Sequence, residues 1–379
     1  VASISVEVSS LNSIPRVKLA GVNNNIKYRW QKLNFFADAM VPDCAGDDSK
    51  KALDYSWKLY KDVEPQEIAS ASLDVRYFRI NAYTLDISTT YTIVVLVSIP
   101  NDDNIDVVAS EAMLSFQIGV SGVVAAIEGG VQQSVSYSDS FTLDAGSSYD
   151  VDYPSSASRL SYTWSCTEYS PTFGESCPGF DDAEIIKTRS TLTMPGSTLS
   201  SDESYNFSCL VRSTSGETAI AYTVVSISSQ SIPRVSISSP APKYNAGEKI
   251  VISGSVTADP ELGNVDIVWA SEDDVVDLSA NSATAITKVY TPVSSTYEAS
   301  FQMTLRANAL TEGLSYVFTL GATYKSLSNS NSLAYVTIVT NSPPVGGTLV
   351  ISPTTGKALN ETFSFTTSAW SDDVEDLPL

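Results

Sequence analysis

Histidine is absent from all 379 residues. Its absence excludes Ser-His-Asp and Cys-His nucleophilic catalysis, imidazole metal ligands and an imidazole pH switch. An enzyme built on this chain would have only carboxylate, lysine, tyrosine or thiol chemistry. Long apolar runs are also missing: the most apolar stretch, Tyr91 to Val97, has the length of a strand and not of a membrane span. Positive charge is scarce, with 22 basic against 43 acidic residues and a formal net charge of −21. That balance argues against nucleic acid and against an anionic lipid surface, and gives a self-repelling, well-solvated exterior. Flexible tethers are lacking too. Ser228-Ser229-Gln230-Ser231 runs directly into Ile232-Pro233, so the junctions are short and partly fixed by proline. The chain opens at Val1 with no methionine and no basic, apolar leader, so any signal or membrane segment of its parent lies outside these limits.

What is present is a repeat. Ser13-Ile14-Pro15-Arg16-Val17 returns letter for letter as Ser231-Ile232-Pro233-Arg234-Val235, 218 positions on. Val123-Val124-Ala125-Ala126-Ile127 opens a unit halfway between, and Ser342-Pro343-Pro344-Val345 opens another after the second copy. A period of about 109 residues is that of a small independent domain rather than a solenoid repeat. Within the units, apolar and polar residues alternate with a period of two, as in Ile4, Val6 and Val8, in Tyr91, Ile93, Val95 and Val97, and in Tyr335, Thr337 and Val339. Short β-branched strands separated by Ser, Gly, Asn and Pro read as β-sandwiches.

Alignment of the units sharpens this into an all-β array of tandem immunoglobulin-like β-sandwich domains. Each complete unit has a tryptophan in a strand, Trp57, Trp164 and Trp269, followed by a tyrosine that opens a later strand, Tyr91, Tyr205 and Tyr316. A core Trp between two sheets and a Tyr that pins a corner through its hydroxyl are the packing such a sandwich needs. All six are therefore expected as buried core markers without a ligand role. The expected division is 1–12 as the last strand of an upstream domain, 13–120, 121–230 and 231–341 as three sandwiches, and 342–379 as the start of a fourth, with poorly supported strands.

The second unit carries a specific likeness. Phe141-Thr142-Leu143-Asp144-Ala145-Gly146-Ser147-Ser148-Tyr149-Asp150-Val151-Asp152, followed by Tyr162-Thr163-Trp164, resembles the receptor-for-egg-jelly module of the polycystin and sperm-receptor family and is similar to the polycystic kidney disease repeat. Trp370-Ser371-Asp372-Asp373-Val374-Glu375-Asp376 looks like a later part of the same module, whereas the first unit departs from the pattern, with Phe35-Phe36-Ala37-Asp38 and an intruding Cys44. The resemblance implies an extracellular, multi-domain ectodomain of a large membrane protein. It brings no catalytic residues to carry over.

Four cysteines, Cys44, Cys166, Cys177 and Cys209, allow three pairings. Cys166 and Cys177 bracket a short Pro/Gly/Ser loop and are expected to be joined. Cys209 aligns with Val95 and Leu320, so it is expected as a buried thiol acting as a small hydrophobe, with a Cys166–Cys209 bridge as the rival. Cys44 has no partner in its unit. Asn206 and Asn360 lie in N-glycosylation sequons, and strand parity turns Asn206 to solvent. The acidic groups Asp181-Asp182, Glu272-Asp273-Asp274 and Asp372-Asp373 lack the spacing of a calcium loop, so no cofactor is expected and calcium is the one ion left open. The function that fits is non-catalytic: adhesion, recognition or mechanical spacing at the cell surface, towards an extracellular protein or glycan. The alternatives are a glycan- or coat-protein-binding module, or accessory domains of a secreted hydrolase.

Overall fold

The computed structural model describes residues 14–21, 23–42, 48–49, 53–100, 109–272, 275–357 and 363–373. The expected upstream strand 1–12, Cys44, Asp273, Asp274 and Asn360 lie outside them. The chain forms two compact units. One comprises Val1–Gly122 with Val151–Pro154, and the other comprises Val123–Asp150 with Ser155–Leu379. Strands dominate both. The one α-helix among the described residues, Leu278–Asn281, is a single turn capped by the Asp277 carboxylate.

The first unit is a sandwich. One layer has the order β2 (Asn25–Tyr28), β8 (Ala109–Gly119), β7 (Thr89–Ser98), β4 (Asp54–Lys61) and β5 (Glu64–Gln66). The other is built on β3 (Leu33–Pro42), which pairs with β6 (Tyr77–Ile80) along its first half and with β1 (Arg16–Leu19) along its second. The alternation of β7 explains the layer: Tyr91, Ile93, Val95 and Val97 point into the core with Leu59, Phe116 and Ile118, and the intervening residues point out.

The second unit holds two cores, one from Ile127 to Ile227 and one from Val235 to Ile338. Its main sheet has eight strands. Four belong to the earlier core: β11 (Leu160–Ser170), β13 (Ser204–Ser213), β14 (Thr218–Ser228) and β9 (Gln132–Ser136). Four belong to the later core: β23 (Ser332–Val339), β22 (Ser315–Tyr324), β18 (Val265–Ser271) and β19 (Thr287–Tyr290). Smaller layers close each sandwich. β10 (Ser140–Asp144) pairs with β12 (Thr191–Pro195) over the first core. β15 (Arg234–Ile237), β17 (Gly254–Thr257) and β20 (Ala299–Ser300), with β16 (Ile250–Ile252) paired to β21 (Met303–Leu305), cover the second.

All three sandwiches share one edge device. An early segment runs parallel to the last strand, with Asn25 opposite Phe116, Gln132 opposite Val224, and Tyr244 bridged to Thr340. The hairpin of β24 (Thr348–Ser352) and β25 (Ser364–Ser368) has no core of its own among the described residues, and every residue of β24 is exposed.

The tryptophans split. Trp164 and Trp269 are 2% and 1% exposed and lie in their cores. Trp57 is only half-buried, which corrects the expectation of an enclosed indole. Its ring packs on Phe78 of β6 at 5.7 Å and stays partly open to solvent. The polar end of each indole is satisfied alike: Nε1 donates to the carbonyl of Val75, Arg189 or Phe301 at 2.8, 2.9 and 3.1 Å.

Candidate functional site

The feature that sets the second unit apart is the strand shared by its two sandwiches. Gln132–Ser136 runs parallel to β14, with Gln133 opposite Val225 and Val135 opposite Ile227, and so belongs to the first core. Its other edge meets β23, where Gln132 faces Tyr335. The segment leading into it is held from both sides. Val131 N donates to Tyr335 O at 2.8 Å, and Val224 N donates to Val131 O at 2.9 Å. Gly129 N donates to Ile237 O at 2.9 Å, while Ser239 N donates to the Glu128 carboxylate at 2.9 Å.

Gly130 makes this approach feasible. It sits at φ +98°, and a Cβ there would lie 2.3 Å from the Tyr335 carbonyl oxygen. Only glycine combines that backbone with that clearance. The buried Gln133 fills the polar side of the joint: its amide donates to Glu128 O at 3.2 Å, and the Thr223 hydroxyl donates to Gly130 O at 2.8 Å. Paired polar groups of this kind are tolerated in a core where unpaired ones are not.

The register gives the eight-stranded sheet two distinct faces. Trp164, Cys209, Val225 and Val135 point to the first core, and Ala334, Leu320 and Trp269 point to the second, on the same side of the sheet. The opposite face is open. Leu210, Ile220 and Tyr222 stand on it at 37%, 49% and 57% exposure, beside Val224, Tyr335 and Val268. Ser and Thr fill most of the other outward positions. In a chain of net charge −21 this face has charge only at its margins, Arg212 and Asp266. At the end of the shared strand a cleft of about 440 Å³ is lined by Ser134, Ser136, Asp139, Arg234, Asp259 and Tyr324.

The other sequence-predicted residues are separate from one another. Cys166 and Cys177 are bonded, with Cα atoms 5.7 Å apart. The bridge closes a loop that bears the exposed Tyr169–Phe173 ring pair. Cys209 is free and fully buried opposite Trp164, and burial pushes its thiol up to about 12. Tyr91, Tyr205 and Tyr316 are buried. Each hydroxyl accepts from a backbone N–H five residues earlier, that of Asp86, Ser200 or Thr311, at 3.0, 3.0 and 2.9 Å. Asn206 lies on the open face of the sheet, half-buried between Thr167 and Val224.

Asp181 is paired with Lys187 at 2.7 Å and Asp373 with Lys243 at 2.9 Å. Among the described residues, no three Cys, Asp or Glu side chains converge as metal ligands would. Sequence reasoning missed the shared strand. Its marks were the Gly129-Gly130 pair and a glutamine, Gln133, at an inward strand position.

Solved structures of tandem domains resemble the chain only loosely. Extracellular domains 3–5 of Drosophila OTK align over 88% of this chain and 100% of that one, at 10% identity and a TM-score of 0.22. The FN1–FN3 domains of chicken CNTN1 align over 87% and 99%, at 9% identity and a TM-score of 0.23. Cadherin domains 3–6 of protocadherin gamma B2 align over 87% and 77%, at 10% identity and a TM-score of 0.26. Family membership is much firmer. The sequence model of the REJ domain matches residues 39–379, which takes in every sandwich core described above apart from the first strands of the first unit, and the chain belongs to the REJ domain family.

Proposed function

We propose that the chain is a non-catalytic part of an extracellular ectodomain whose second and third sandwiches act as one stiff body, spacing or presenting recognition surfaces on a large cell-surface protein. The observation that carries this reading is the continuous eight-stranded sheet through Gln132–Ser136. In a chain of freely jointed domains each sandwich yields on its own. Here, parting the two cores requires breaking the Val131–Tyr335 and Gly129–Ile237 hydrogen bonds together with the bond from Ser239 N to the Glu128 carboxylate. The Cys166–Cys177 bridge supports an oxidising, extracellular setting, and so does membership of the REJ family.

Single-molecule pulling on the full chain tests the mechanical part. The reading expects the span from Ile127 to Ile338 to yield in one step. Two independent steps of about one sandwich each, at forces unaffected by changes at Gly130, would overturn it. A glycan- or coat-protein-binding role would use the cleft or the open sheet face, and a glycan array probed with the full chain addresses it.

A further inference from the structure

The open face of the shared sheet is broad and nearly uncharged, with Leu210, Ile220, Tyr222 and Val224 clustered among its hydroxyls, and the sequence supplies a cover for that cluster. Asn206-Phe207-Ser208 is an N-glycosylation sequon, and strand parity puts both Asn206 and Ser208 on that face. The Asn206 amide is not among the buried polar atoms that lack a partner, and no hydrogen bond ties it to another described residue. It is therefore open to solvent and to a substituent on Nδ2.

Its surroundings suit a sugar. Tyr222 lies opposite Ser208, two residue pairs along from Asn206 and Val224 on the same face, and is 57% exposed. A pyranose lays its apolar C–H face on an aromatic ring and turns its hydroxyls outward. Hydroxyls that could meet them border the site on Thr167, Ser165 and Ser226. Two linked sugars are roughly 10 Å long, which reaches from Asn206 over Tyr222, one strand across and two residues along. A neutral glycan also fits a face without charge, which offers no partner to an ionic ligand.

We propose that Asn206 carries an N-linked glycan whose innermost N-acetylglucosamine units lie against Tyr222 and cover the open face of the shared sheet. In the transfer, Asn206 Nδ2 bonds to the anomeric carbon of an oligosaccharide held on a polyprenyl diphosphate. The amide nitrogen gives up a proton, and the diphosphate leaves with the electron pair of the broken C1–O bond. The acceptor is the chain before β13 pairs, since in the folded sheet the Ser208 hydroxyl is engaged with Ser165 at 2.6 Å. The inference rests on the extracellular reading above, because only a chain that passes through the secretory route meets the donor.

The test expresses the full chain through the secretory route of a eukaryotic cell line. Site mapping is expected to find the sugar on the Asn206 peptide. Ser208→Ala, which removes the sequon and keeps the asparagine, is expected to raise the binding of a hydrophobic fluorescent dye several-fold and to bring on concentration-dependent self-association. Adding Tyr222→Ser is expected to reverse most of that rise. Asn206→Gln gives a second, independent route to the bare face. Unmodified Asn206 in protein whose Asn360 is modified overturns the proposal and leaves the extracellular reading standing. An occupied Asn206 whose loss leaves dye binding unchanged overturns the covering role. Cys166–Cys177 linkage in protein from its native source reports on the extracellular reading by itself, so the two failures are distinguishable.

Discussion

Tyr91, Tyr205 and Tyr316 open equivalent strands, and each hydroxyl accepts a hydrogen bond from the backbone five residues upstream. The contact ties the corner before the strand to the strand itself, and in a buried setting it leaves a donor stranded if the oxygen is removed. Each Tyr→Phe change is therefore expected to cost about 1 kcal/mol in urea denaturation. Tyr205→Phe should cost most, because its hydroxyl also donates to the Glu203 carboxylate at 2.7 Å. Equal, near-zero shifts at all three would mean that the corners are held by packing alone.

Cys209 lies at the same scale and makes a kinetic statement. Fully buried, with a thiol titrating at about 12, it offers almost no thiolate near neutral pH. Alkylation of Cys209 is expected only at the rate of unfolding, and labelling of the native chain at the rate of a free thiol would contradict the core. Asp74 gives the pH dependence. The Arg76 guanidinium and the Arg76 backbone N–H hold its carboxyl at about 2. A depressed acid stabilises the fold above its unfolded value of about 4, and that contribution is lost as pH falls through about 2. A carboxyl titration followed by NMR should place Asp74 near 2 in the native chain and raise it part of the way towards the ordinary aspartate range in Arg76→Ala, where the backbone N–H still donates.

At the scale of elements, the sandwiches were legible because apolar alternation is a local signal. Val95, Cys209 and Leu320 occupy matching inward positions, and the repeat offset locates them without a structure. Trp57 shows where that signal stops. Its own strand reads like those of Trp164 and Trp269, but enclosure depends on what the facing layer places against the ring, which the alignment of tryptophans does not report. The shared strand was illegible for a related reason. Its bonds to β23 join residues about 200 apart and run between backbones or through the Ser134 hydroxyl to the Leu333 backbone, and a lone serine in a Ser-rich chain is almost no signature. Gly130 is the exception. Gly130→Ala places a Cβ against the Tyr335 carbonyl at a positive φ, and the expected cost is of order 1–3 kcal/mol. Gly216, also at positive φ but with open space around it, is the control: Gly216→Ala meets the backbone penalty without the clash. If the two variants melt alike, the Tyr335 approach contributes nothing.

At the scale of the whole molecule, the shared sheet makes a claim about cooperativity. Two domains joined by a linker unfold in separate transitions, whereas two cores that lean on one strand lose stability together. The tryptophans allow each core to be watched alone. Trp164 lies in the core from Ile127 to Ile227 and Trp269 in the core from Val235 to Ile338. With Trp57 and Trp370 changed to Phe, together with Trp30, single-reporter chains that keep either Trp164 or Trp269 should show coincident urea midpoints. Adding Gly130→Ala to each reporter chain weakens the junction with no further change in either core, so the two midpoints should separate, with the less stable core melting first. Coupling of this kind appears as a double-mutant term: Gly130→Ala with Thr223→Val, which removes the hydroxyl that holds Gly130 O, should cost less than the two single changes added, because both break the same joint. Midpoints that differ in the chain with Gly130 intact, or strictly additive costs, would mean that the hydrogen bonds through Gln132–Ser136 align the sandwiches without coupling their stability.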